Sequence, residues 1–248
     1  SIKWADINGD GHSNLVVYDS GRTAYYGIDE NGNWSKSGQF YRAGLDLHSS
    51  QVRMMDINND KRTDVVQTVS GYDGIVSRIS VKLNIEGQRW SDNISLPFNR
   101  SQYIASFARS QVHIADMNGD GLEDIVYATN GELTYFPNRG LEGFGRAVKF
   151  EHMPANLFQD SAIHLVDMNG DGLSDVLYIL GNNVRLMLNQ GMQNGRFRLA
   201  NQVTFKGKRN MREDAVRFVD INGNGSTDIV WYSSCLLYTS PSPRDTRE

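Results

Sequence analysis

The chain has 248 residues, a formal net charge of −4, 39% hydrophobic residues and a single cysteine, Cys235. It has enough apolar residues for a folded core, but no run approaches the roughly 20 apolar residues of a membrane span. The acidic balance, with scattered basic residues, argues against nucleic-acid binding. One thiol excludes an intrachain disulfide and any site built from several cysteines.

A nine-residue acidic segment recurs five times along the chain. Its first copy, DINGDGHSN, opens at Asp6, and the successive openings lie 50, 60, 51 and 53 residues apart. A near-constant period indicates a repeat protein over residues 1–234. We call these segments the acidic loops and number their positions 1 to 9. They span residues 6–14, 56–64, 116–124, 167–175 and 220–228.

Each repeat predicts four strands in chain order. The first alternates apolar and polar residues up to the loop, as in IKWAD, and the second is a nearly continuous apolar run, as in DVLYIL. A third strand ends in Asn- or Gly-rich turn residues. The fourth segment starts at an aromatic residue and closes on phenylalanine, and we expect these aromatics to pack between sheets. The pairs are Trp34 with Phe40, Trp90 with Phe98, Phe144 with Phe150, and Phe197 with Phe205.

Four strands per repeat of about 50 residues predict an all-β fold. Specifically, we expect a β-propeller of four-stranded antiparallel blades, with the acidic loops between the first and second strands. The chain would then supply about four and a half blades of an incomplete propeller, and the remainder would lie elsewhere in its own polypeptide.

The composition of the loops indicates a cation site. Positions 1, 3, 5 and 9 carry side-chain oxygens in every copy, whereas position 7 varies, as expected if only its backbone carbonyl is used. Such alternation suits a hard cation with six to eight oxygen ligands, and we predict Ca²⁺. The predicted ligands are Asp6, Asn8, Asp10, His12, Asn14, Asp56, Asn58, Asp60, Arg62, Asp64, Asp116, Asn118, Asp120, Leu122, Asp124, Asp167, Asn169, Asp171, Leu173, Asp175, Asp220, Asn222, Asn224, Ser226 and Asp228.

The five loops are not equivalent, and they are not EF-hands, because the glutamate expected at position 12 is missing. The third and fourth loops combine three carboxylates with two glycines and should bind most tightly. Lys61 and Arg62 should weaken the second loop, and Asn14 and Asn224 each remove a charge from the first and fifth. The alternative is a set of Asx-type turns that bind no ion.

Residues 235–248 depart from the repeat. Residues 235–245, CLLYTSPSPRD, read as one frame of a common transposase sequencing adapter. We therefore expect a non-native, disordered tail, which is excluded from the fold prediction.

The loop pattern DxNGDGxxD, followed by an apolar strand, resembles the FG-GAP and VCBS repeats, which form calcium-binding propellers. The Gly-Ala-Pro element of those repeats is absent and Phe-Gly occurs only at Phe144-Gly145, so an integrin-type ligand function is not implied. The segment VRFVDINGNGSTDIVW, residues 216–231, is also similar to propeller regions of SpvB-like and insecticidal toxin complex B proteins.

These patterns point to binding or assembly rather than catalysis. The residue three before each loop is always basic (Lys3, Arg53, His113, His164 and Arg217), which indicates a repeated surface feature more than one catalytic base. The resemblances imply a non-catalytic, calcium-stabilised scaffold in a larger exported or cell-surface bacterial protein, such as a toxin-complex shell. Its partner would be a protein or a carbohydrate. The alternatives are a lectin-like or adhesive propeller and a polysaccharide-degrading enzyme.

Overall fold

The computed structural model shows an all-β chain that falls into two compact units. Among the described residues, the single helical element is a 3-10 turn, Gly140–Glu142. The first unit comprises Ser1–Val112 and Asn138–Arg146, and the second comprises His113–Pro137 and Ala147–Glu248. The structure describes residues 2–19, 22–29, 31–41, 46–71, 75–99, 103–129, 131–151, 163–180, 183–193, 196–206, 216–232 and 237–240.

The first unit contains two antiparallel blades. The strands of the first blade are β1 Ile2–Ala5, β2 Asn14–Asp19, β3 Arg22–Ile28 and β4 Trp34–Tyr41. The second blade is made of β5 Val52–Met55, β6 Asp64–Ser70, β7 Val76–Lys82 and β10 Ile94–Ser95, and between its last two strands lies a hairpin of β8 Asn84–Ile85 and β9 Arg89–Trp90. The strand orders are β1-β2-β3-β4 and β10-β7-β6-β5.

The third and fourth blades follow the same plan. The third is built from β11 Val112–Ala115, β12 Asp124–Thr129, β13 Glu132–Phe136 and β14 Val148–Glu151. The fourth is built from β15 Ile163–Val166, β16 Asp175–Leu180, β17 Asn183–Met187 and β20 Val203–Lys206, with a hairpin of β18 Asn189–Gln193 and β19 Arg196–Leu199. This hairpin extends the third blade, because β19 pairs with β14.

A fifth blade is represented by three antiparallel strands. They are β21 Val216–Val219, β22 Asp228–Tyr232 and β23 Leu237–Ser240, in that order. The strand β23 differs from the prediction that residues 235–248 lack structure. Its physical basis is the free edge of β22, whose unpaired backbone groups can accept any short extended segment. Residues 241–248 lie outside the described part of the chain.

The strand predictions are confirmed where each repeat begins. Every loop lies between an alternating first strand and an apolar second strand, as predicted. In β16, the consecutive residues Val176, Leu177, Tyr178 and Ile179 are all buried, so this strand is covered on both faces. An all-β propeller fold with antiparallel blades is therefore observed.

Aromatic residues pack one blade against the next within each unit. In the first unit, Trp90 of the second blade stacks on Phe40 of the first, with ring centroids 4.6 Å apart. In the second unit, Phe197 from the fourth blade lies 5.5 Å from Phe150 of the third. The expected packing between sheets is therefore confirmed for Phe40, Trp90, Phe150 and Phe197, whereas Trp34 is 51% exposed and does not follow it. The side chain of Phe205 lies outside the described residues.

Candidate metal centre

The aspartate at position 1 shapes the acidic loops. Its two carboxylate oxygens accept hydrogen bonds from the N–H groups of positions 4 and 6, as Asp6 does from Gly9 and Gly11 at 2.8 Å each. The same pair of bonds forms at Asp116, Asp167 and Asp220. Gly9 and Gly11 have φ values of +77° and +84°, which explains the preference for glycine.

Positions 3, 5 and 7 are joined by a second set of hydrogen bonds. In the third loop, the side-chain amide of Asn118 donates to Asp120 at 2.9 Å, and the N–H of Leu122 donates to the other oxygen of Asp120 at 2.9 Å. The first, second and fourth loops repeat both contacts. The structure therefore brings the predicted ligands at positions 1, 3, 5 and 7 into one compact turn.

The carboxylate at position 9 lies on the inner side of the loop. Asp64 and Asp175 are both fully buried. One oxygen of Asp175 accepts a hydrogen bond from Met168 N at 2.9 Å, and the other accepts one from Asn189 N at 2.7 Å. Asp64 makes the matching pair of contacts. Position 9 thus joins the start of its loop to the second residue after the third strand.

Burial and neighbouring charges make these carboxyl groups harder to ionise. The pKa of Asp175 is raised to about 7, chiefly by burial and also by the charges of Asp171 and Asp167, against the lowering effect of the two backbone hydrogen bonds. Asp64 has its pKa raised to about 7 by the same causes. An all-oxygen donor set with three nearby carboxylates fits a hard divalent cation, which would offset their repulsion.

Calcium binding by the 25 predicted ligands stays a prediction. Within the described residues, no group of three or more His, Cys, Asp or Glu side chains is arranged to hold a metal ion. In the observed conformation, the carboxylates of positions 1, 5 and 9 accept N–H groups of the loop itself. This pattern is also that of the Asx-type turns considered as the alternative.

The second loop departs from the others, as its sequence predicts. Lys61 and Asn59 stand at the glycine positions and adopt left-handed backbone conformations with φ of +67° and +61°. Such a conformation is strained for Lys61, whereas asparagine adopts it more readily. Arg62 lies 3.6 Å from a carboxylate oxygen of Asp60, so a positive charge already neutralises part of this loop.

Loops of adjacent blades are hydrogen-bonded to each other within each unit. The carbonyl of position 1 accepts the N–H of position 8 in the next loop. The distances are 2.7 Å for Thr63 to Asp6, 2.8 Å for Ser174 to Asp116, and 3.1 Å for Thr227 to Asp167. Position 7, predicted to matter only through its backbone, also has a packing role. The side chains of Arg62 and Leu173 lie close over Gly9 and Gly119 of the preceding loops.

Two buried asparagines, which sequence reasoning missed, complete these links. The side-chain amide of Asn189 donates to Met117 O at 2.8 Å and to Ser174 O at 3.2 Å, while its side-chain oxygen accepts Gly191 N at 2.9 Å. Asn84 makes the equivalent contacts in the first unit, to Ile7 O, Thr63 O and Gly87 N. We call Asn84 and Asn189 the latch asparagines. Their recurrence two residues after the end of the third strand was the signal available in the sequence.

The predicted row of basic residues lies on the first strands. Lys3 and Arg53 are half-buried neighbours: burial, and then the charge of Arg53, lowers the pKa of Lys3. Burial, and then the charge of His113, lowers the pKa of His164 in the same way. Within each unit two of these residues therefore lie close enough to interact, and the expectation that all five form one equivalent set stays a prediction. Arg217 is exposed, and its guanidinium donates to Val216 O at 2.7 Å.

Repeated four-stranded blades, each with an acidic loop between its first two strands, define a repeat-built β-propeller protein. The sequence model of the FG-GAP-like repeat matches residues 6–66, 116–178 and 167–231, which is more than half of the chain. The chain belongs to the FG-GAP-like repeat family. No curated protein matches it.

Solved structures with similar folds include a lectin and toxin-complex proteins. An Agrocybe aegerita lectin that recognises non-reducing terminal N-acetylglucosamine is 17% identical, with a TM-score of 0.64 over 98% of this chain and 62% of the lectin chain. The Photorhabdus luminescens Tc holotoxin pore is 18% identical, with a TM-score of 0.52 over 96% of this chain and 13% of that chain. TcdB2-TccC3 has a TM-score of 0.51 at 19% identity, over 96% of this chain and 14% of that chain. This chain therefore spans less than two thirds of the length of each. At these identities the likeness shows the fold alone.

Proposed function

We propose that this chain is a non-catalytic, calcium-stabilised propeller scaffold that acts in binding or assembly. The larger protein would be exported or displayed at a bacterial cell surface, as a toxin-complex shell component is. Similarity to toxin-complex structures over nearly the whole chain supports this assignment. Among the described residues, no helix combines the length and apolar character needed to cross a membrane.

The observation that carries the calcium part of the proposal is the repeated acidic turn. All five loops share two hydrogen bonds, from the N–H of position 6 to the side chain of position 1 and from the N–H of position 7 to the side chain of position 5. The second and fourth loops each hold a fully buried carboxylate beside two other carboxylates. Loops of this kind in extracellular modules bind calcium with dissociation constants of roughly 10⁻⁴ to 10⁻³ M. Such affinities suit an environment with millimolar calcium, in agreement with export.

A scaffold role is favoured over catalysis by the surroundings of the histidines. His113 and His164 belong to the repeated basic row, and His164 packs against Phe218 with ring centroids 4.5 Å apart. This setting is that of a packed strand residue rather than a base facing a cleft. The polysaccharide-degrading enzyme therefore remains the weaker alternative.

Equilibrium dialysis of the whole chain against calcium tests the proposal. We expect saturable binding of several Ca²⁺ ions per chain, with Mg²⁺ competing poorly because it prefers a smaller octahedral site. Asp120→Ala and Asp171→Ala should each remove one of the tighter ions, whereas Asn201→Ala, an exposed control outside the loops, should remove none. An absence of saturable binding would leave the loops as Asx-type turns.

A lectin-like function is the second candidate, because the similarity to the Agrocybe aegerita lectin covers 98% of this chain. Retention of the chain on immobilised N-acetylglucosamine, released by the free sugar, would favour it. Passage through the column without retention, together with calcium binding, would favour the scaffold.

A further inference from the structure

The first blade carries an exposed apolar face, and it holds both of the exposed tryptophans among the described residues. Trp4 on β1 is 60% exposed, Ile28 at the end of β3 is 61% exposed, and Trp34 on β4 is 51% exposed. The indole rings of Trp4 and Trp34 lie 5.8 Å apart, and Ile28 pairs with Trp34 in the sheet. We call these three residues the open face. Large exposed aromatic groups that touch one another indicate an interaction surface.

The repeat shows what covers the equivalent residues elsewhere. Strand register places Trp90 of the second blade at the position of Trp34, because Asn84 pairs with Trp90 as Ile28 pairs with Trp34. Trp90 is buried, at 8% exposure, and stacks on Phe40 in the outer strand of the preceding blade. In the second unit the register differs, because Asn189 pairs with Leu199 and Met192 pairs with Phe197. Phe197 is nevertheless buried against Phe150 of the preceding outer strand.

The residue two positions before each loop also contacts the preceding blade in later repeats. Trp4 holds this position in the first blade, Ile114 holds it in the third, and in the second, fourth and fifth blades Met54, Leu165 and Phe218 hold it. Each of these three is partly buried and packs on the apolar core of the blade before it. Both aromatic positions of the open face are thus contact positions for a preceding blade.

We propose that the open face docks a further propeller blade of the same repeat type, whose outer-strand aromatic ring packs on Trp34. Two covered copies of the contact, Trp90 on Phe40 and Phe197 on Phe150, supply its geometry. The contact would be more apolar than the later ones, because Ile28 replaces the latch asparagine at the corresponding register position. This proposal goes beyond the proposed function and does not depend on cation binding.

A fusion of the full chain to one extra repeat tests the proposal. Residues 112–162 are copied and joined directly in front of Ile2, which holds the place of Ile163 in the natural order of the repeats. We expect the added blade to protect Trp4 and Trp34 from iodide quenching and to shift tryptophan emission to the blue. Trp90 and Trp231 are buried and contribute little to the quenching.

A matched fusion carries Phe150→Ala in the added copy only, and it should protect the indoles less. Equal protection by both fusions, unchanged quenching, or a fusion that fails to fold while the chain alone folds would each overturn the proposal. Protection of the unfused chain by N-acetylglucosamine would instead identify the open face as a sugar platform.

Two single variants of the unfused chain give an independent readout. Trp34→Ala should leave the melting temperature nearly unchanged, whereas Trp90→Ala, its covered equivalent, should lower it by several degrees. A loss at Trp34 as large as that at Trp90 would show that Trp34 already stabilises its own blade, and the docking proposal would fail.

Discussion

The latch asparagines should contribute much more to stability than their small size suggests. Asn189→Ala removes a buried side chain that makes three hydrogen bonds, at 2.8, 3.2 and 2.9 Å, while the backbone N–H that donates to Asp175 remains. Each such bond contributes about 0.5–1.5 kcal/mol, and carbonyls left buried without a donor add to the loss. We expect the free energy of unfolding to fall by about 2–4 kcal/mol.

Thermal and urea unfolding measure this loss. For a domain of this size, about 3 kcal/mol corresponds to a melting temperature lower by about 6–12 °C. Asn84→Ala should behave alike, because its contacts match those of Asn189 in the other unit. The control is Asn201→Ala, at an exposed position. A loss of about 1 kcal/mol would lower the melting temperature by at least 2 °C. If both latch variants melt within 2 °C of this control, the role assigned to the latch asparagines is wrong.

Three further predictions concern single sites. Lys61→Gly should raise the free energy of unfolding by up to about 1 kcal/mol in urea titrations, since glycine tolerates the φ of +67° at that position. Lowering the pH below about 6.5, the ordinary pKa of histidine, should destabilise the wild type relative to His164→Gln in paired melts. The lowered pKa of His164 keeps its imidazole neutral in the folded state, whereas the unfolded chain takes up the proton. A difference in melting temperature between the two proteins that does not change with pH would contradict this explanation. Phe150→Ala should cost about 3–5 kcal/mol, and a loss below 1 kcal/mol would contradict its packing against Phe197.

The repeat and the loops could be predicted from the sequence because each produces a pattern among neighbouring residues. Alternation before Asp6 and its counterparts, and the apolar runs after each loop, give the strand order directly. Glycine at positions 4 and 6 predicts the left-handed backbone conformation that the structure shows. These features depend on neighbours within about ten residues, so a single sequence suffices to predict them.

Contacts between residues far apart in the sequence could not be predicted. Asn189 looks like an ordinary turn residue, and its role depends on Met117, 72 residues earlier. The hairpin of β8 and β9 has two residues per strand, too few to produce a period. Position 7 was assigned only a backbone function because its residue type varies. The side chains of Arg62 and Leu173 show that different residues can cover the same glycine position in the preceding loop.

The proposed function requires that calcium stabilise these blades. Thermal melts of the whole chain at millimolar calcium and with excess chelator measure this stabilisation. With calcium tenfold above the dissociation constant, each tight site adds about 1.4 kcal/mol. Loss of one such site by Asp171→Ala should therefore reduce the calcium-dependent shift by about 3–6 °C. Asn224→Ala, in a loop with fewer carboxylates, should reduce the shift less. Identical melts of the wild type with calcium and with chelator would contradict the claim.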